Sequence, residues 1–316
     1  MAEIIQRIAS DLLLPTESVR RTVALARNRT RQFTIPKRSG GARTIVQPAL
    51  TLKPVLSWLN NSLIEHLPVH EIATAFRSGK SILDNATAHS DSTYSVRIDI
   101  SDFYHSIKSS DLVQVIWAAK FLLPPWACEP DSLALIENVC FDQAGRLPIG
   151  YSTSPGIANA VMYKIDCHLA ALISNDKDFG AAVVTRYADD FIFSTDKPGA
   201  CNKFLEAFEK TLVATKSPTL SINAAKTRFM SRPGGSTLVT GLRINNLGGI
   251  VVHANYRDHV RLLLKLYKEK RLMADDVPKL VGHLAHIQHV DPALFTKLSF
   301  KYYEDIARIR GKLHET

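Results

Sequence analysis

The period of the hydrophobic positions changes several times along the chain, and each change marks an element. Residues 2–13 and 16–30 repeat apolar positions at helical spacing and are separated at Pro15. Gln32-Phe-Thr-Ile-Pro36 and Ala42-Arg-Thr-Ile-Val-Gln47 alternate instead, around Lys37-Arg-Ser-Gly-Gly41. That pattern predicts a hairpin with a cationic tip. Residues 50–66 return to helical spacing, with Leu52, Val55, Leu56, Leu59 and Leu63 on one face. A helix is expected up to His89, then an alternating strand, Tyr94-Ser-Val-Arg-Ile-Asp-Ile100, that carries Asp99 at its end. Helices follow over 108–120 and 130–140. Ser154-Pro155 then marks a helix start, with Ser as N-cap and Pro at the first helical position, for a helix to Ile173. The apolar runs 181–186 and 191–194 flank Tyr187-Ala-Asp-Asp190 and predict a hairpin with two carboxylates at its tip. A helix over 198–215, short strands over 219–222, 227–230, 237–244 and 249–252, and three basic helices from 255 complete the chain. The central order strand–helix–strand–strand–helix–strand matches a split βαβ arrangement and predicts an α+β fold.

Composition narrows the class. The 316 residues are 46% hydrophobic and 22% charged, ordinary for a soluble globular protein with a sizeable core. The net charge of +9 is uneven, with +6 over residues 1–43, −1 over 44–252 and +4 over 253–316. A basic frame around a near-neutral centre suits a polyanion held at the sides and processed in the middle. The four cysteines, Cys128, Cys140, Cys167 and Cys201, form no C-x-x-C pair, which argues against a zinc ribbon or disulfide framework and fits a reducing compartment. Without a signal-peptide core or a run of membrane-spanning length, the expectation is a cytoplasmic protein with no membrane partner. Gly79-Lys80-Ser81 is not a Walker A loop, because position 74 is Thr where that loop needs Gly. His283, His286 and His289 lack cysteine or carboxylate partners at matching spacing, so a polar helix face toward nucleic acid is favoured over zinc.

Candidate chemistry centres on the acids. Asp189 and Asp190 repel each other, and a tight turn in an apolar segment leaves two readings, a solvated turn or a divalent cation. Asp99, at a strand end that neighbours the hairpin in such a sheet, favours the cation. Carboxylates there suit two Mg²⁺ ions about 3.5–4 Å apart, one activating an attacking hydroxyl and one holding a triphosphate. Phosphoryl transfer needs chiefly positioning and charge neutralisation, so acids suffice without a nucleophilic side chain.

Arg97-Ile-Asp-Ile-Ser-Asp-Phe-Tyr104, Leu147-Pro-Ile-Gly-Tyr-Ser-Thr-Ser-Pro155 and Tyr187-Ala-Asp-Asp190 together resemble motifs A, B and C of reverse transcriptases. Asn85-Ala-Thr-Ala-His89 and Val239-Thr-Gly241 resemble the N-A-x-x-H element and the V-T-G triplet of the retron type, and the likeness extends from about residue 20 to about 310. The resemblance implies a right-hand polymerase. Fingers would occupy 1–90, a ferredoxin-like palm with an interleaved fingers segment 91–252, and a helical thumb 253–316. It implies Asp99, Asp189 and Asp190 as catalytic ligands of two Mg²⁺ ions, joined by the Ile100 backbone carbonyl, with Asp190 the less direct. Tyr104 would be a gate against a ribose 2′-OH, or else a core aromatic, the reading preferred for Phe103. Arg43 would meet the incoming triphosphate, and Gly150 would let the backbone approach a nucleotide. Lys226 would protonate pyrophosphate, or is a surface lysine. The family's usual Pro-Gln-Gly is Pro148-Ile149-Gly150 here, so a contact from that Gln is missing or supplied elsewhere.

Lys80 and Arg77 would meet template phosphates or stand as exposed charges. Asn85 and His89, four apart on one helix, would bind the cognate RNA or lock the fingers. Arg257, Arg261, Lys265 and Lys268 share a helix face that would meet the phosphates of an RNA–DNA duplex. The implied partners are dNTPs and a structured non-coding RNA (msr-msd), copied from a guanosine 2′-OH into branched multicopy single-stranded DNA (msDNA). An accessory effector in anti-phage defence and a host RNase H acting separately are also implied. The alternatives are a group II intron-type maturase, an abortive-infection polymerase, and a non-catalytic RNA-binding scaffold, which would have lost one of the carboxylates.

Overall fold

The computed structural model describes residues 2–36, 40–235 and 237–311. The cationic tip expected at Lys37-Arg38-Ser39 lies outside the described residues.

Apolar periodicity becomes burial along the N-terminal third. Helices Ala2–Asp11 and Thr16–Ala24 bury Ile4, Ile5, Ile8, Val19 and Val23. Strands β1 (Thr30–Pro36) and β2 (Ala42–Pro48) pair antiparallel, with Ile35 opposite Arg43. All five apolar residues expected on one face of the next helix, Leu52, Val55, Leu56, Leu59 and Leu63, are buried; the helix itself spans Lys53–Ser62 and ends in a 3₁₀ turn, Ile64–His66. Helix Ile82–Thr87 starts with a capping box, in which Ser81 and Asp84 satisfy each other's backbone N–H groups.

The centre is a four-stranded antiparallel sheet of β3 (Tyr94–Asp99), β4 (Ala182–Tyr187), β5 (Asp190–Thr195) and β6 (Arg228–Ser231), in the order β4-β5-β3-β6. This is the ferredoxin-like order the sequence pattern predicts. Its register places Asp99 opposite Asp190 and Tyr187 opposite Asp190. Side chains alternate faces, so Arg97, Asp99, Asp190, Ile192, Ser194 and Thr185 share one face while Arg186, Phe191 and Phe193 share the other. On that second face Phe193 stacks on Phe204 at 4.2 Å, and Phe191 packs on Phe208 at 4.7 Å, both from helix Ala200–Ala214. Burying a phenylalanine contributes about 1.5–3 kcal/mol, so these rings anchor the hairpin that carries the acids.

Several expectations are revised. Ser154 is the first residue of its helix, not its cap; its hydroxyl donates to the Pro148 carbonyl at 2.7 Å and pins the preceding loop. That helix runs as two pieces, Ser154–Val161 and Tyr163–Ile173. Residues 219–222 form no strand, only a bridge between Ile222 and Ile100. The remaining strands, β7 (Leu238–Val239), β8 (Leu242–Ile244) and β9 (Ile250–Val252), make a separate small sheet. Among the described residues, the C-terminal region holds four α-helices rather than three: Ala254–Lys268, Val277–Val290, Pro292–Lys301 and Tyr303–Ile309. Pro292 cannot extend the preceding helix, and the Asp291 carboxylate caps the next by accepting from Leu294 N at 2.9 Å.

Among the described residues, two hydrophobic cores result. One joins the N-terminal helices to the Phe191/Phe193 face of the sheet. The other gathers Ala86, Ile192, Val239 and the C-terminal helices. No helix among the described residues is long and apolar enough to cross a membrane.

Candidate active site

The hairpin tip is built by β4 and β5, with Ala188 in the left-handed region (φ +58°) turning the chain so that Asp189 stands at the apex. Ile100 N–H donates to the Asp189 carbonyl at 3.1 Å, which ties the apex to the end of β3 beside Asp99. Residues 221–223 run along the same end, with Asn223 N–H donating to the Asp99 carbonyl at 2.8 Å. The turn that follows delivers Lys226, whose Nζ lies 2.9 and 3.0 Å from the two Asp99 carboxylate oxygens.

Three aspartates meet here, and the surroundings treat each differently. Asp190 is held by a two-pronged pair with Arg97, at 3.0 and 2.6 Å. Arg97 sits two residues before Asp99 and so on the same strand face. Asp99 is buried and neutralised by Lys226. Asp189 makes no ion pair among the described residues. Burial, then the charges of Asp190 and Asp99, push its carboxyl above the ordinary carboxylate range. Asp99 and Asp189 line a cleft of about 1230 Å³, and Asp190 does not. The expected set of three carboxylates is therefore not assembled as one cluster: among the described residues, no group of three or more His, Cys, Asp or Glu side chains could hold a metal. Arg97 accounts for this by drawing Asp190 to itself. The Asp99–Asp189 pair fits a hard divalent cation by its oxygen donors and by its unrelieved negative charge, and the Lys226 ammonium already marks a cation position on Asp99.

The other expected residues divide into those at the cleft and those away from it. Arg43, Ile100, Tyr104, Gly150 and Lys226 all line it. Tyr104 packs edge-on against buried Phe103 at 5.5 Å, and its phenol is pushed up to about 12 by burial and by the nearby Asp189 charge. Gly150 has φ +120°, and a Cβ there would lie 2.7 Å from the Val46 carbonyl oxygen. The close approach that requires glycine is thus to β2, cemented by Val46 N–H donating to Ile149 O at 2.8 Å. Ile149 also lines the cleft.

Asn85 and His89 are corrected as nucleic-acid contacts. Both are fully buried, and His89 Nε2 lies 2.7 Å from Thr185 Oγ1 while its Nδ1 bonds Ser194 Oγ. One histidine thereby fastens the Ile82–Thr87 helix to both strands of the acidic hairpin, the locking role. Burial holds it neutral, lowering its pKa to about 3. Thr240 Oγ1 donates to the Ile82 carbonyl at 3.2 Å, so the Val239-Thr-Gly241 triplet meets the same helix. Arg77 is spent on the His70 and Ala73 carbonyls, at 3.1 and 3.2 Å, and Lys80 is exposed. Arg261 and Lys265 are exposed on helix Ala254–Lys268; Arg257 is half-buried and, with Arg261, reaches Asp258. His283 bonds the Tyr256 hydroxyl at 2.8 Å, tying two helices together.

The reverse transcriptase (RNA-dependent DNA polymerase) family model matches residues 35–271. The retron Ec73 reverse transcriptase of Escherichia coli is 37% identical over 285 residues, which cover 89% of each chain. The chain belongs to the retron reverse transcriptases. It is an RNA-directed DNA polymerase with the right-hand fold. The retron Ec83 reverse transcriptase of Escherichia coli is also similar, 27% identical over 290 residues and 90% of each chain. Among solved structures, apo telomerase from Candida tropicalis, truncated from its C-terminal domain, is 16% identical with a TM-score of 0.49, covering 71% of this chain and 55% of that one.

Sequence reasoning missed four polar residues around this retron reverse transcriptase's acidic hairpin: Arg97, Asn159, Asp166 and Arg186. Arg97 carried a signal, the two-residue alternation with Asp99. Arg186 carried a weaker one, a lone cation in an apolar strand run, but its partners come from distant helices.

Proposed function

We propose that the Asp99–Asp189 cleft carries out nucleotidyl transfer with two divalent cations, Mg²⁺ by the chemistry of its oxygen donors, copying a cognate structured RNA into DNA. Asp99 and Asp189 would hold the cations, with the Ile100 carbonyl contributing and Asp190 supporting from its pair with Arg97. Bound there, the ions supply charge neutralisation for a triphosphate and lower the pKa of the attacking hydroxyl. A primer hydroxyl attacks the α-phosphorus of the dNTP, the new ester bond forms, and pyrophosphate leaves. Arg43 on β2 faces the triphosphate, and Tyr104 closes the floor beneath the sugar, where a 2′-OH would clash. Lys226 has two tasks in sequence. It covers the Asp99 charge in the free protein, and once that charge is met otherwise it turns to the leaving pyrophosphate and donates a proton.

In this reading fingers take residues 1–90, palm 91–252 and thumb 253–316. The exposed Lys80, Arg261 and Lys265, with Arg257, would hold template and product phosphates. The RNA partner is read as a non-coding msr-msd transcript, primed from a guanosine 2′-OH to give msDNA. An accessory effector would act with it in anti-phage defence, and a separate RNase H would trim the template. The single observation that carries the mechanism is a cation-covered Asp99 beside an Asp189 that has no ion pair among the described residues, both in one cleft. The test is dNTP incorporation on the RNA transcribed beside this coding sequence, with Mg²⁺. Wild type should extend from the RNA itself, giving a product whose DNA–RNA branch resists alkali differently from a 3′-linked one. Incorporation that persists in Asp189→Asn/Asp190→Asn would overturn the metal assignment.

A further inference from the structure

Beneath the catalytic turn, on the opposite face of the sheet, lies a polar node that the chemistry above does not use. Arg186 is fully buried, three residues before Asp189. Its guanidinium grips the buried Asp166 carboxylate with Nε at 2.8 Å and Nη2 at 2.6 Å. The remaining nitrogen, Nη1, donates to Asn159 Oδ1 at 3.0 Å and to the Ala188 carbonyl at 3.3 Å. Asn159 passes the connection on, since its amide donates to the Ala75 carbonyl at 2.9 Å.

We propose that Arg186, Asp166 and Asn159 are positioning residues for the polymerase reaction, setting where the Asp189 carboxylate stands relative to Asp99 by clamping the Ala188 carbonyl to the helices behind the sheet. Ala188 is a non-glycine residue held at φ +58°, a left-handed conformation that a side chain disfavours unless neighbours hold it. The Arg186 guanidinium supplies a bond to the carbonyl of that residue. Three walls of the cleft converge on the node. Asp189 is on the turn; Ser154 and Pro155 open the helix that carries Asn159; and Phe76, beside Ala75, faces the cleft with its ring 6.4 Å from Tyr187. The backbone of Arg186 joins in, its N–H donating to Ile72 O and its carbonyl accepting from Thr74 N–H at 2.8 Å. A fully buried ion pair is seldom the most stable way to fill a core, since apolar residues of equal volume serve as well or better. Fixing geometry is what apolar packing at this turn would not supply.

The inference rests on Asp189 being a metal ligand, and the experiment separates the two. Mn²⁺ binding to the full-length protein is followed by the loss of the free-ion EPR signal, alongside single-turnover dNTP incorporation and thermal unfolding. The proteins are wild type, Asp189→Asn, Asn159→Ala and Arg186→Lys. Asn159→Ala leaves the ion pair intact and so remains informative where Arg186→Lys fails to fold. The expected result is a 10- to 100-fold lower incorporation rate and about 10-fold weaker Mn²⁺ binding in Asn159→Ala and Arg186→Lys, with dNTP affinity within about 3-fold. Variants with a lower melting temperature but wild-type rate and Mn²⁺ affinity would overturn the network's positioning role. A wild type with no Asp189-dependent Mn²⁺ binding would overturn the metal assignment, and the inference with it.

Discussion

The two faces of one hairpin treat their carboxylates in opposite ways. Behind the sheet, Asp166 is gripped two-pronged by Arg186 and both side chains are sealed from water. At the cleft, Asp189 has its charge raised against it by burial, Asp190 and Asp99, with no ion pair of its own among the described residues. Between these extremes stand Asp190, matched by Arg97, and Asp99, covered by a half-exposed lysine. A fold optimised for stability alone would match all four. The difference locates the chemistry: charge is satisfied where the hairpin must be rigid and left unsatisfied where a cation must enter.

Breaking the unmatched side should have the largest effect. Asp99→Asn removes a cleft oxygen and the Lys226 partner together, and single-turnover dNTP incorporation should fall by at least about 10²-fold, as for loss of one electrostatic contact at a transition state. On the matched side the effect should appear in stability. Asp166→Asn leaves a buried guanidinium short of its counter-charge and should cost about 3–5 kcal/mol by urea unfolding. The double replacement Asp166→Leu/Arg186→Met should recover most of that stability while leaving incorporation impaired.

The third prediction sharpens the comparison through pH. His89 is matched only while neutral. Its folded pKa, about 3, lies below the ordinary value of 6.5, so the unfolded chain binds the proton first and stability is lost as pH falls from 6.5 towards 3. At pH 5 the loss relative to pH 7 should be about 2 kcal/mol from this group, and His89→Asn should remove that increment from the urea-unfolding difference. The smallest effects belong to the exposed cations. Arg261→Ala and Lys265→Ala should each lower the slope of log affinity against log salt by about 1 for an RNA–DNA duplex, uniformly across sequences.

How much of this was legible beforehand follows from the range of the interactions. The acidic hairpin, Asp99 at the neighbouring strand end and the buried face of helix Lys53–Ser62 could be read directly, because alternation and helical spacing are local. The Asn85–His89 helix could be seen, but whether it met RNA or the core could not, since both uses want polar groups four residues apart. Burial against Thr185 and Ser194 decided for the core. Glycine at 150 reads from the sequence as a close approach to a nucleotide, whereas its tight neighbour is a strand from more than a hundred residues earlier. The Arg186–Asp166–Asn159 node was invisible for the same reason: its members lie on a strand and two helices that only the folded sheet brings together.

The central claim, that Asp189 is left electrostatically unsatisfied for a cation, is tested most directly by pairing activity with stability in one substitution. Asp189 has a raised pKa, so its charge costs stability as pH rises above the carboxylate range, and that cost is absent below it. Asp189→Asn should therefore abolish dNTP incorporation while raising the melting temperature of the metal-free protein at pH 7, with the gain vanishing towards pH 4. A melting temperature that falls at pH 7, or incorporation that survives, would contradict the account.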